Sequence, residues 1–135
     1  MNCKLHFEGS LADSFRQRLP QYSGIYLVYR GRFDSKENLF YCREIIYIGQ
    51  ASNIRGRINN HDRRNDFLAA RGKDEVIFYS YAPLETSVLD IVEGALIYVM
   101  KPRLNNNGKD TYAYQPVHVM SDGACALLDT DFEIQ

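Results

Sequence analysis

Gly24-Ile25-Tyr26-Leu27-Val28-Tyr29-Arg30 and Glu44-Ile45-Ile46-Tyr47-Ile48-Gly49 decide the reading of this chain. Both stretches are dense in β-branched and aromatic residues, which suit a pleated, half-buried surface, so both read as strands. Successive side chains point to opposite faces of a strand. Tyr26, Val28 and Arg30 therefore share one face of the first, and Ile45, Tyr47 and Gly49 share one face of the second. Two tyrosines can look into one site. The polar run Gly31 to Asn38 between them reads as a long hairpin tip, with Leu39-Phe40-Tyr41 extending the second arm.

Outward from this pair, Leu5 to Phe7 reads as a short strand, and Ser10 to Arg18 as a short helix capped by Ser10, with Leu11 and Phe15 four apart and Pro20 ending it. Downstream, Ser52 is placed to cap a helix that turns Ile54 and Ile58 inward, and a second helical run carries Phe67 and Leu68 before Gly72 stops it. Glu75 to Tyr81 is a third strand. Ser87 with Asp90 has the form of a capping box opening a helix of about four turns. The buried stripe of that helix is Val88, Ile91, Val92, Ala95, Leu96 and Val99, and Pro102 terminates it. Two short strands close the chain, around Val117 to Met120 and Ala124 to Leu128. The Ser121-Asp122-Gly123 turn between them is a hairpin signal, because Asp and Gly tolerate the positive φ of tight turns.

The pattern predicts an α+β domain with a small, mainly antiparallel sheet flanked by helices and a C-terminal hairpin. With 135 residues, of which 45% are hydrophobic, the chain supports one ordinary core, so residues 1–135 are expected to form a single domain. No apolar run at the start resembles a signal peptide, and none approaches the roughly 20 residues of a membrane span. The reading is a cytoplasmic protein without membrane contact. Cys3, Cys42 and Cys125 are scattered and lack the spacing of a zinc site or disulfide framework, so reduced thiols are expected.

The net charge of −1 argues against a polyanion partner only if it is evenly spread, and it is not. Asp110, Asp122, Asp129, Asp131 and Glu133 lie in a tail without Lys or Arg, which leaves 16 basic against 12 acidic residues, a net of +4, in the first 109. Arg55, Arg57, Arg63, Arg64, Arg71 and Lys73 face only Asp62 and Asp66 between Asn53 and Lys73. Such a patch suits phosphates, although a solvated helix face has the same composition. A nucleic acid bound here lies along the Arg55 to Lys73 side, away from the acidic tail.

Candidate chemistry gathers around Tyr47. Ten residues lead from it to Arg57 in the following helix, and an i,i+4 step sets His61 on the same side one turn later. A phenol, a guanidinium and an imidazole converge. In order and spacing, Gly24-Ile25-Tyr26, Tyr47-Ile48-Gly49, Arg57, His61, Glu93 and, twelve residues on, Asn105 resemble the GIY-YIG nuclease superfamily, over residues 22–107. The chain departs from repair-type members in having Gln50 where they have Lys. Its connection between the tyrosine segments is longer than in compact members, as in restriction-type ones.

The resemblance implies a metal-dependent endonuclease acting on DNA. Glu93 would bind one divalent ion, Mg²⁺ or Mn²⁺, Arg57 would contact the scissile phosphate, Tyr26 or Tyr47 would help activate water, and Asn105 would brace the site. His61 is the other candidate base, since its ordinary pKa of about 6.5 needs little tuning. Arg55, Arg63, Arg64, Arg71 and Lys73 are the expected nucleic-acid contacts. The alternatives are a binding module that keeps the fold with little catalysis, and a nuclease subunit that needs a protein partner or a second copy of the chain.

Overall fold

The structure, a computed structural model, describes residues 1–135. Its centre is a six-stranded sheet built from β1 (Asn2–Ala12), β2 (Gly24–Asp34), β3 (Leu39–Ala51), β4 (Val76–Pro83), β5 (Val117–Gly123) and β6 (Asp131–Ile134). The spatial order is β3-β2-β4-β1-β5-β6. All neighbours are antiparallel except β1 and β5. Strand β1 joins the two halves: Asn2 to Phe7 pair with β5, and Glu8 to Ala12 pair with β4. The helices are α1 (Ile54–Asn59), α2 (Arg64–Ala69) and α3 (Leu89–Met100). No helix is long and apolar enough to cross a membrane.

Each face of the sheet carries its own core. Ile25, Leu27 and Tyr29 of β2 pack with Val92, Ala95 and Leu96 of α3 and with Val117 and Val119 of β5. Tyr26 and Val28 pack on the other face with Ile54 and Ile58 of α1 and Phe67 of α2. This alternation along β2 is the one the sequence predicts. Along β3 it fails at two points, Arg43 and Ile46. Val28 pairs with Tyr47 and Tyr29 with Ile45, so Ile46 is an extra residue in a β-bulge. Ile46 and Tyr47 therefore both face the α1–α2 core, and Ile45, expected beside Tyr47, lies in the α3 core. The Ile46 carbonyl on this outer strand accepts the Leu104 N–H at 3.0 Å.

Other elements differ from the sequence reading for identifiable reasons. The helix expected from Ser10 is strand as far as Ala12, because Leu11 and Ala12 pair with Tyr79 and Phe78 of β4; only a 3-10 helix, Asp13–Arg18, remains, and Phe15 is exposed. The expected long hairpin tip is mostly strand. Its polar residues lie on arms that reach solvent, where pairing needs no apolar face, and the turn closes at Asp34, whose Oδ1 accepts from the backbone of Lys36 and Glu37. Asn53, not Ser52, caps α1, its Oδ1 accepting from Gly56 N at 3.1 Å.

No side chain caps α3; a 3-10 turn, Thr86–Val88, leads into it, and the Asp90 carboxylate is engaged by Gln50 instead. A C-terminal hairpin is present, but not through Asp122-Gly123. Those residues continue β5, paired with His6 and Phe7 of β1. Residues 124–130 form the connection, with Cys125 and Leu128 buried, and the returning strand is Asp131–Ile134. Pairing with β1 outweighs the local turn preference. All three cysteines are free thiols.

Candidate active site

The site lies along edge strand β3, where its two faces meet. Tyr47 on β3, Arg57 on α1, Arg63 before α2, and Glu93 on α3 line one cavity of about 570 Å³, closed on its far side by residues 105–108 and 111–114. Its volume is within the usual range for ligand clefts.

Behind Tyr47 is a buried aromatic group. The Tyr26 ring stacks 6.4 Å from that of Tyr47, and His61 meets both edge-on. Gly49 makes this possible: a β-carbon there would stand 2.3 Å from the Tyr26 Cζ and Oη atoms. Tyr26 and His61 are joined by a 2.9 Å hydrogen bond. Tyr26 is 1% exposed and does not line the cavity, so of the two tyrosines it is Tyr47 that meets the open space. Burial raises both phenol pKa values, and the Arg57 charge opposes that rise.

His61 does not sit one helical turn beyond Arg57 as the sequence spacing suggests. Helix α1 ends at Asn59, and His61 occupies the following turn with its ring folded inward. The Arg63 N–H donates to His61 Nδ1 at 3.0 Å. Burial, with the adjacent Arg57 charge, lowers the imidazole pKa to about 4. The ring is neutral, with its proton on Nε2, and donates to the Tyr26 oxygen.

Arg57 pairs with Asp62 at 3.2 Å, but Asp62 is solvent-exposed and such pairs hold weakly. The guanidinium is therefore available to an incoming anion. Glu93 is half-buried and its carboxyl pKa is raised by burial, with the Asp90 charge adding to the rise and the Gln50 amide opposing it. Gln50 Nε2 donates to Glu93 at 3.3 Å and to Asp90 at 2.6 Å. Asn105 is buried against β3: its Oδ1 accepts the Ile48 N–H at 3.0 Å and its Nδ2 donates to the Ile48 carbonyl at 2.9 Å. It completes the edge strand as a neighbouring strand would.

The expected basic contacts divide. Arg64 forms a two-toothed pair with Asp13 at 3.2 and 2.6 Å, and Asp13 also accepts from Tyr79. Arg55 donates to the Leu19 carbonyl at 2.6 Å. Both tie the helices to the chain before β2. Arg63 pairs with Asp66 at 2.5 Å, faces the Tyr47 ring at 5.9 Å and lines the cavity, while Arg71 and Lys73 are exposed after α2.

Asp62, Asp90 and the 106–114 segment belong to the site's surroundings without having been read as site residues in the sequence, and Gln50 stood out there only as a departure from the Lys of repair-type members. Only the place of Gln50 directly after Gly49 could have signalled any of them.

Comparison with known proteins gives partial relatives. The chain is 30% identical over 112 residues to the UvrABC system protein C of Fervidobacterium nodosum, covering 78% of this chain and 17% of that protein. It is 31% identical over 113 residues to the UvrABC system protein C of Haloarcula marismortui, covering 80% and 18%. The protein of the same name from Prosthecochloris aestuarii is 30% identical over 92 residues, covering 64% and 15%. The chain thus spans between 15% and 18% of the length of these curated relatives. No protein-family model and no solved structure matches it.

Proposed function

We propose that this chain is a GIY-YIG-type nuclease domain that hydrolyses DNA phosphodiester bonds with one divalent cation. The observation that carries the reading is that Tyr47 of β3, Arg57 of α1 and Glu93 of α3 line the same cavity. The likeness to UvrABC system protein C supports a DNA-repair setting for that chemistry.

The donor set fits a hard cation held by a single side chain. Glu93 offers one partly desolvated carboxylate, and no cluster of three His, Cys, Asp or Glu surrounds it. Mg²⁺ is commonly held by one or two carboxylates, with substrate phosphate oxygens and water completing its shell. Glu93 would hold the ion, which when bound supplies Lewis-acid polarisation of a phosphate oxygen.

The remaining roles fall to the chain's own groups. Arg57 exchanges its exposed Asp62 partner for the phosphate and neutralises charge as it develops on the phosphoryl oxygens. Tyr47 takes the proton of the attacking water; burial raises its phenol pKa, and the Arg57 and Arg63 charges oppose that rise. Its pKa must fall by about 3 units below 10 for this to happen at neutral pH, roughly 4 kcal/mol of differential stabilisation. His61 is not the base in this reading, because its Nδ1 accepts from Arg63 and its Nε2 proton is directed at Tyr26. Tyr26 and His61 hold Tyr47 from behind. Asn105 braces the strand that carries it.

The test is cleavage of supercoiled plasmid and of single-stranded DNA with Mg²⁺ or Mn²⁺, beside Glu93→Ala and Arg57→Ala. Both variants are expected to be inactive while folded; activity in both sinks the assignment. The engagement of Arg55 and Arg64 inside the fold, which leaves fewer free cations for DNA, favours a second reading, a nuclease subunit silent until a partner supplies more binding surface. Cleavage only after cell extract is added would select it.

A further inference from the structure

Three tyrosines run along α3 and the segment that folds back over it. The rings of Tyr98, Tyr112 and Tyr114 form a chain with centroids 6.2 and 5.7 Å apart. Its inner members are anchored: Lys101 Nζ stands 4.5 Å from the Tyr98 ring centre, and the Tyr112 hydroxyl donates to the Gln115 carbonyl at 2.5 Å. Tyr114 ends the chain with 48% of its surface exposed. It lies against α3 at Gly94, where a β-carbon would stand 2.8 Å from Tyr114 Cε2. Gly94 adjoins Glu93, and Tyr112 and Tyr114 line the same cavity as Glu93 and Arg57.

A phosphate and a cation would occupy the Glu93–Arg57 end and leave this aromatic wall untouched. A flat apolar ring beside a phosphate-binding cation has the composition of a nucleotide site, since every base offers a π-face and stacks with little regard to sequence. Asn106 and Asn107 are exposed on the same rim, and their amides carry the donors and acceptors that meet base edges. Bases inside a duplex are stacked on both sides and present no free face; only an unpaired or extruded base does.

We infer that Tyr114, backed by Tyr112, is a stacking platform for an unpaired nucleobase adjoining the phosphate at Arg57. The inference rests on the nuclease reading and narrows its substrate class to DNA with single-stranded character at the cut. A fully paired duplex engages the basic side of the site but not the platform.

The chain contains no tryptophan, so Tyr114→Trp installs a single emitter at the platform. With EDTA present to prevent cleavage, oligo(dT) is expected to quench that emission, whereas inorganic phosphate and a blunt duplex leave it unchanged. In anisotropy titrations with fluorescein-labelled oligo(dT), Tyr114→Ala is expected to bind about tenfold more weakly and Tyr114→Phe as wild type, with duplex affinity altered less than about twofold in either. Unquenched tryptophan overturns the platform, as does a Tyr114→Ala variant that retains oligonucleotide affinity or loses oligonucleotide and duplex binding alike. The nuclease reading is scored separately by cleavage with Mg²⁺: a wild-type chain that binds oligo(dT) and cuts nothing, with or without added cell extract, ends that reading while the platform stands as a base-binding site.

Discussion

The Nε2 atom of His61 lies 2.9 Å from the Tyr26 hydroxyl, while its Nδ1 accepts the Arg63 backbone N–H at 3.0 Å. A backbone N–H only donates, so the imidazole proton is on Nε2 and the histidine is the donor to the phenol. Tyr26→Phe removes that acceptor and leaves a buried N–H without a partner. Stability is expected to fall by about 1–3 kcal/mol, read from urea denaturation. A variant as stable as the wild type would refute the proton assignment.

The same histidine sets a pH dependence of stability. Its folded pKa of about 4 lies below the unfolded value near 6.5, so between those values the unfolded chain binds the extra proton. Its contribution is therefore complete above pH 6.5 and is lost progressively as pH falls toward 4. From pH 7 to pH 5 the loss is about 2 kcal/mol. Urea denaturation of wild type and His61→Gln at both pH values checks it: the drop should be smaller in the variant by about that amount, and equal drops would contradict it.

How far the sequence reveals this molecule depends on whether a feature is local. Alternation in β2 was legible because every residue from Gly24 to Tyr29 is buried and pairs regularly with β4. The α3 stripe was legible in Val92, Ala95 and Leu96, although Ile97 is buried where Val99 was expected to be. Leu11 in β1 and Asp122 in β5 were misread because strands distant in sequence, β4 and β1, decide their conformation. The Ile46 bulge is equally silent, since its carbonyl is satisfied by Leu104.

Spacing linked Tyr47 to Arg57 and the family resemblance added Glu93, and the three meet at one cavity. It did not reveal that His61 lies beyond the end of α1, or that Tyr26 stands behind Tyr47. Composition likewise marked six cations between Asn53 and Lys73, but not that Arg64 is held by Asp13 and Arg55 by the Leu19 carbonyl. Those partners come from the segment before β2, which only the folded chain brings near.

Asn105 separates bracing from chemistry. Its amide fills both hydrogen-bonding positions of Ile48 on the outer edge of β3, beside the Leu104 N–H bond to Ile46. Asn105→Ala leaves a buried N–H and C=O without partners, and a loss of about 2–3 kcal/mol in unfolding free energy is expected. If the residue acts only through β3, cleavage per folded molecule at low temperature changes little. Denaturation curves paired with active-site-normalised cleavage rates check this, and a stable variant with abolished cleavage would give Asn105 a direct chemical role.

Gln50 tests the electrostatics of Glu93. Burial raises the Glu93 pKa, Asp90 adds to the rise, and the amide hydrogen bond from Gln50 opposes it. If activity requires the ionised carboxylate, rate falls on the acid side as Glu93 takes up its proton. Gln50→Leu removes the opposing bond, so that acid limb should move to higher pH. Gln50→Lys sets a positive charge in the same position, favours the carboxylate and should move the limb to lower pH. Opposite shifts mark a carboxylate bonded by this amide as the controlling group, and Glu93 is the one that lines the cavity. Rates of plasmid nicking from pH 5 to pH 9 at saturating Mg²⁺ read the limb directly; equal or absent shifts would remove Glu93 from control of the pH profile.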